Sequence, residues 1–247
     1  CESDSYDLVI QNGIIYDGSG SDSESVDIAI IGNQIVKVGK INSKNSIKII
    51  DASGLVVSPG FIDTHAHLDP MSNFIKLSNG ESHVRQGVTT SFGGPDGRGV
   101  PLKYGFKEFL DSIEKVGVGM NVGFLTGHNK IRRVVMNLDN REPTVEELER
   151  MKNLASKAMD EGAFGISTGL KYLPGNFSKV DEVIEISKEV SKKGGVYTSH
   201  LRDEGLKIIE AVNEAIKISK DADISVVLTH HKVIGKPMWG KSSITLS

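Results

Sequence analysis

The stretch Pro59-Gly60-Phe61-Ile62-Asp63-Thr64-His65-Ala66-His67-Leu68-Asp69 is where this 247-residue chain changes rhythm. Upstream of it, short β-rich runs are separated by turn dipeptides. Downstream, apolar strand-like runs alternate with helix-like ones, the order that builds a parallel sheet with crossover helices. Strands are expected at 61–67, 88–92, 121–126, 164–168, 196–200 and 224–230. The clearest helix has Thr144 as N-cap and Glu147 three positions on, a capping box, followed by Leu148, Met151, Leu154, Ala155 and Ala158 at helical spacing. Two more helices are expected at 181–192 and 204–220, the second with Ile208, Ile209, Val212, Ala215 and Ile216 as its apolar face. The fold class is therefore α/β, a TIM-type (β/α) barrel over 59–247. Six βα units are present, whereas a closed barrel has eight, so the barrel is expected to be incomplete in this chain. Either the chain is a fragment or a second chain completes it.

Residues 1–58 read as a small N-terminal β domain of sandwich type, or part of one. Leu8-Val9-Ile10 and Ile14-Ile15-Tyr16 flank Asn12-Gly13, a dipeptide suited to a hairpin turn. A second hairpin is expected around Gly32-Asn33, between 26–31 and 34–38.

Lys and Arg total 29 against 32 Asp and Glu, a net charge of −3. With no basic stripe and no aromatic-rich RNA motif, nucleic-acid binding has no support. No apolar run approaches the roughly 20 residues of a membrane span. One cysteine excludes an internal disulfide and a CxxC site. It is Cys1, followed by the polar leader Glu2-Ser3-Asp4-Ser5, which resembles the start of a mature bacterial lipoprotein. A lipid on Cys1 would tether the protein to a membrane in the periplasm or cell envelope; the plain alternative is an edited chain start and a cytoplasmic protein.

The chemistry sits at the strand ends. In an extended segment residues two apart face the same way, so His65 and His67 project together into the barrel mouth, where two imidazoles can share one metal. His200 closes one later strand and His230 another, each where an apolar run turns polar. Four imidazoles converging on the barrel axis favour zinc, with cobalt, manganese or iron as substitutes.

Taken in order, PGFIDTHAHLD from Pro59, GVTT from Gly87, EGAFGISTGL from Glu161, SHLRDE from Ser199 and THHK from Thr229 resemble the amidohydrolase superfamily. More narrowly they are similar to the D-aminoacylases, the N-acyl-D-amino-acid deacylases. The resemblance implies a β domain built from both chain termini, a barrel holding one or two divalent ions with zinc favoured, and hydrolysis of an amide by a metal-activated water. It matches His65 and His67 to the first-strand ligands, His200 to the fifth-strand ligand and His230 to the sixth. His231 is the adjacent candidate and is assigned to packing or to a supporting place behind the ligands. At the second strand the deacylases carry a metal-binding cysteine in GVTTVVVGNCG, and without gaps Asp96 falls on that position. A carboxylate can bind or bridge the same metals; Pro95-Asp96-Gly97 also reads as a plain turn.

Lys171 is a second bridging candidate, because carboxylated lysine bridges metals in other branches, although a solvated surface charge is the plainer reading. Lys232 resembles the family lysine that contacts the substrate carboxylate. Arg202 is a further substrate-binding candidate, and Arg202-Asp203-Glu204 also reads as a salt bridge at a helix start. His128 receives no catalytic role. The superfamily's acid–base aspartate ends strand eight, beyond this chain, and neither Asp63 nor Asp69 is promoted in its place. The expected function is a metal-dependent amide hydrolase acting on N-acyl-D-amino acids, its partner a small-molecule substrate. Two alternatives stand beside it: a dihydroorotase- or hydantoinase-like cyclic amide hydrolase, and a non-catalytic lipid-tethered binding protein. The expectation for Asp96 is testable by metal analysis: Asp96→Asn in the full-length protein weakens metal binding far more than Asp69→Asn, and normal metal content in Asp96→Asn would leave the plain turn.

Overall fold

The computed structural model describes residues 5–68, 79–100 and 105–246. Cys1 and Asp69, both singled out above, lie outside the described residues. The chain divides into two compact units, Cys1–Gly60 and Phe61–Ser247.

The first unit holds two sheets. In the larger, β1 (Leu8–Gln11) lies between β4 (Asp27–Ile31), antiparallel, and β6 (Lys48–Asp51), parallel, with β5 (Gln34–Gly39) outside β4. In the smaller, β2 (Ile14–Ile15) lies between β3 (Glu24–Ser25) and β7 (Val56–Val57). The hairpin at Gly32-Asn33 forms as expected, between β4 and β5. The one at Asn12-Gly13 does not, because β1 and β2 belong to different sheets. Asn12 has φ 64°, so the dipeptide makes a left-handed corner that carries the chain from one sheet to the other. Gly13 fits there because a Cβ would stand 2.6 Å from Val57 Cγ2. Tyr6, Val9, Ala29 and Ile41 form the buried apolar cluster of this unit.

The second unit is the arc of a TIM-type barrel. Six parallel strands follow one another in chain order: β8 (Phe61–Asp63), β9 (Val88–Gly93), β10 (Asn121–Phe124) continued by β11 (Thr126–Gly127), β12 (Gly165–Gly169), β13 (Val196–His200) and β14 (Val226–Leu228). β10 and β11 are one strand interrupted at Leu125, whose N–H donates to Gly93 O at 3.0 Å. β8 is shorter than the expected 61–67. The backbone bends at Thr64 and His65, although Ala66 N–H still donates to Phe92 O at 3.0 Å. Strands of a parallel sheet are covered on both faces, and β12 is buried along its whole length. Its polar side chains are paired: Thr168 Oγ1 lies 2.9 Å from Tyr197 Oη and 3.2 Å from Ser199 Oγ. Burial pushes the Tyr197 phenol up to about 12.

The helices follow their apolar spacing with one shift. Helix Val145–Asp160 opens with the expected capping box: Glu147 N–H donates to Thr144 Oγ1 at 3.2 Å, and Thr144 N–H donates to Glu147 Oε2 at 2.8 Å. The helix expected from residue 204 runs Ile208–Ala222 instead. Asp203 Oδ1 accepts from the N–H groups of Gly205 at 2.7 Å and Lys207 at 3.0 Å, which holds the preceding residues in a turn. The helix buries Ala211 and Ile218 with Ile208, Val212 and Ala215, whereas Ile209 and Ile216 are partly exposed, so its buried face is rotated from the expected one.

His128, at the start of helix His128–Met136, turns away from the strand ends. Its Nε2 lies 2.8 Å from Glu182 Oε1, on helix Val180–Ser191, and the Arg132 guanidinium pairs with the other Glu182 oxygen. Arg132 also donates to Asp139 O at 3.3 Å and Arg141 O at 2.7 Å. Burial alone would raise the Glu182 carboxyl; His128 and Arg132 outweigh it and hold the group below the ordinary carboxylate range. Its contribution to stability is therefore present at neutral pH and lost as pH falls through that depressed range. Glu182→Ala strands a buried guanidinium and should cost about 3–5 kcal/mol in denaturant unfolding of the full-length protein. A loss under about 1 kcal/mol, the scale of an exposed pair, would show that the cluster does not hold these helices together.

Candidate metal centre

β9 ends at Gly93, and the chain then turns through Gly94-Pro95-Asp96-Gly97-Arg98-Gly99. Arg98 N–H closes the turn on Pro95 O at 3.0 Å. Ser167 reaches over from β12: its Oγ accepts from Gly97 N–H at 3.0 Å and donates to Gly94 O at 2.6 Å. Lys130 N–H adds a bond to Gly97 O at 3.1 Å. Gly97 has φ 73°, and a Cβ on it would stand 2.0 Å from Asn129 Oδ1, so both backbone and space require glycine. Asn129 is itself fixed, with Nδ2 donating to Gly169 O at 2.9 Å and Oδ1 accepting from Gly169 N–H at 3.0 Å. Asp96, at φ 55°, is thus a turn residue whose backbone is locked between the ends of two neighbouring strands.

Its carboxylate lies among four imidazoles. Asp96 Oδ1 is 3.5 Å from His200 Nδ1, 3.6 Å from His230 Nε2 and 3.8 Å from His65 Nε2; Oδ2 is 3.2 Å from His67 Nε2. The rings of His65 and His67 are 5.2 Å apart, His65 and His230 5.0 Å, and His200 and His230 4.4 Å. His65 and His67 reach this position from the bend after β8, not from a regular strand. His200 ends β13. His230 follows β14 at φ 39°, a left-handed conformation held in part by Thr229, whose N–H and hydroxyl both donate to Ser199 O. Burial would raise the Asp96 carboxyl, but His200, His65 and His67 outweigh it and hold the group low. Burial lowers the His65 imidazole, with His230 and His67 adding to the effect against Asp96. An ionised carboxylate beside a neutral imidazole is the protonation state in which both can ligate a metal.

The remaining candidates divide. His231 Nε2 contacts Thr245 Oγ1 at 2.8 Å, away from Asp96, so of the adjacent pair it is His230 that joins the group. Lys232 Nζ lies 2.5 Å from Glu204 Oε1 and 3.0 Å from His230 Nδ1, at the edge of the group. Arg202 departs from the expectation that it faces a substrate. Its guanidinium pairs with both oxygens of Glu214, on helix Ile208–Ala222, and donates to Asn176 O and Ser178 O. Lys171 is exposed on the turn after β12. Two residues of the group were passed over. Tyr172 places its ring 4.6 Å from that of His200, and Glu204 sits behind His200 and His230. Glu204 occupies a charged run at an expected helix start, where an acid ordinarily reads as a solvated, dipole-favoured residue.

The group fits a metal ion. In a tetrahedral site with bonds of about 2.0–2.2 Å, neighbouring donors stand about 3.3–3.6 Å apart. The 3.5 and 3.6 Å separations of Asp96 Oδ1 from His200 and His230 match that spacing. Ligand atoms of His65, Asp96 and His230 all lie within 4.8 Å of one another. Asp96 Oδ1 and His200 Nδ1 are buried without a hydrogen-bond partner, as ligand atoms awaiting a cation would be. His67, 46% exposed, leaves the solvent side open.

Parallel strands whose carboxyl ends converge on nitrogen and oxygen donors define a TIM-type barrel with a candidate metal centre at its C-terminal face. The amidohydrolase family model matches residues 48–173, about half of the chain, and the chain belongs to that family. It is 34% identical to the D-aminoacylase of Alcaligenes xylosoxydans xylosoxydans over 99% of its own length and 54% of that protein. It is also similar to a D-aminoacylase structure that describes a binuclear metal center with one-metal activation and second-metal attenuation. That match has a TM-score of 0.90 at 33% identity, covering 98% of this chain and 55% of the other. The N-acyl-D-glutamate deacylase of Bordetella bronchiseptica, complexed with zinc and a phosphonate inhibitor, matches with a TM-score of 0.91 at 28% identity over 98% and 55%. The chain spans about half the length of these relatives.

Because the imidazoles must be neutral to ligate, protons compete with the metal. Zinc affinity of the full-length protein should fall as pH drops, and because burial holds the His65 imidazole below its ordinary range, its share of the loss comes at the more acidic end. Titration with a chelating indicator between about pH 5 and 8 checks this, and an affinity independent of pH would argue against histidine ligation.

Proposed function

We propose that this chain carries the metal-binding part of an amide hydrolase that removes the acyl group from N-acyl-D-amino acids. The observation that carries the reading is one carboxylate, Asp96, within 3.2–3.8 Å of four imidazoles brought from three strand ends. The similarity to deacylases of N-acyl-D-amino acids supports the substrate class.

His65, His67, Asp96, His200 and His230 would hold one or two divalent ions, zinc first among them. Such an ion would supply Lewis acidity for the amide carbonyl and would lower the pKa of a water it holds to about 7. The chain's own groups bind and orient. Asp96 sets the negative charge of the site, and the left-handed turns at Asp96 and His230 fix where their side chains begin. Lys232, half exposed at the edge, offers an ammonium to the carboxylate of the substrate. Asp63 does not serve as the acid: its Oδ1 accepts from His65 N–H at 3.0 Å and its Oδ2 lies 3.9 Å from His83 Nε2. The cyclic-amide alternative has less support, because its bridging Lys171 is exposed while Asp96 stands among the imidazoles. A lipid anchor on Cys1 stays part of the proposal and rests on the polar leader after it.

The test is a hydrolysis screen of N-acyl-D- and N-acyl-L-amino acids by the full-length protein, before and after chelation. The expected outcome is release of D-amino acids, lost on chelation and restored by zinc. A zinc-loaded protein that opens a cyclic imide and leaves every N-acyl-D-amino acid intact would overturn the reading.

A further inference from the structure

The three charged residues after His200 point to three different places. Arg202 goes to Glu214, and Asp203 holds the turn before helix Ile208–Ala222. Glu204 goes inward and is 4% exposed. Its backbone is tied to the loop after β14 by Ile234 N–H, which donates to Glu204 O at 2.8 Å. Its carboxylate therefore stands behind the two histidines that close β13 and follow β14. Oε1 is 3.1 Å from His230 Nδ1, and Oε2 is 3.8 Å from His200 Nε2. The opposite nitrogens of the same rings, His230 Nε2 and His200 Nδ1, are the ones that face Asp96.

A neutral imidazole carries one N–H and one lone pair, and the partner of one nitrogen fixes the role of the other. A carboxylate accepts only, and its negative charge 3.1 Å away favours a proton on His230 Nδ1, which leaves the lone pair of Nε2 aimed at the Asp96 group. The hydrogen bond made at Nδ1, however, is with Lys232. Lys232 Nζ, 3.0 Å from the same Nδ1, donates only and calls for the opposite arrangement. Nδ1 cannot satisfy both. Glu204 also holds the ammonium directly, at 2.5 Å, which makes the carboxylate the common partner of both groups.

We propose that Glu204 is a positioning residue that sets the proton on His230 Nδ1, and by charge on His200 Nε2, so that the nitrogens facing Asp96 are ready to ligate, with Lys232 as the opposing group. This rests on the metal-centre reading above. At 3.8 Å the His200 contact is too long for a hydrogen bond, so the stronger effect falls on His230.

The experiment uses full-length protein stripped of metal, with zinc alone as probe. Zinc affinity is measured by competition with a chelating indicator for wild type, Glu204→Gln, Glu204→Asp and Lys232→Met, and the ring-nitrogen protons of His200 and His230 are read by nitrogen NMR. Glu204→Gln should lose about 10–100-fold in affinity, the scale of a carboxylate that orients a ligating histidine. Glu204→Asp should recover part of that loss, and Lys232→Met should bind zinc as tightly as wild type or more tightly. In metal-free wild type the His230 proton should sit on Nδ1. Unchanged zinc affinity in a folded Glu204→Gln, or a metal-free wild type with the His230 proton on Nε2, overturns the proposal. The second measurement decides even if the variants do not fold. A wild type that binds no zinc would instead overturn the metal-centre reading and the proposal with it, so the two failures are distinguishable.

Discussion

The six-residue turn after β9 is the constraint on which the site depends. It delivers a carboxylate to the centre of four imidazoles, and it can do so only because its backbone fits between the ends of neighbouring strands. Gly97 meets Asn129 with no room for a side chain, and Ser167 bonds both Gly97 N–H and Gly94 O. Asn129 then locks onto Gly169 at the end of β12. Strand pairing aligns Gly169 with His200, so a turn on one strand is geometrically linked to a ligand three strands away. Rigidity of this kind is what a metal centre needs, since donors held at the wrong spacing bind weakly.

Charge is balanced locally around each buried carboxylate. Glu182 is matched by His128 and Arg132, which makes it a structural tie between helices. Among the described residues Asp96 faces four imidazoles, and one of its buried oxygens has no hydrogen-bond partner, so it stands open to an ion. Glu204 lies between these cases, paired with Lys232 on one side and with two ring nitrogens on the other. The same chemical group thus serves packing, ligation and orientation according to which cations its neighbours supply.

Much of the barrel was legible in sequence. Buried parallel strands are continuous short apolar runs, and all six appear where those runs lie, with small differences at their ends. The capping box at Thr144 is a local hydrogen-bond pattern and forms as expected. The failures have a common cause in contacts between distant segments. Asn12-Gly13 has the dihedral preference of a hairpin, but partner choice among strands put β1 and β2 in different sheets. The helix expected from Glu204 starts later because Asp203 uses its carboxylate to hold a turn.

The sequence by itself marked the four histidines, because strand ends are local features, whereas Asp96, and His230 ahead of His231, were marked only through the resemblance to the deacylases. Only the tertiary structure decided that the turn reading and the site reading of Asp96 are both true, since the carboxylate's surroundings come from three other segments. Likewise, Arg202 stands two residues past His200, where strand alternation would keep it on the side of His200. The strand ends at His200, however, and the following turn sends Arg202 to Glu214 and Glu204 to the imidazoles. Alternation along a strand is a property of extended backbone, and past the last ladder bond the direction of a side chain is set by whatever the fold has packed beside it.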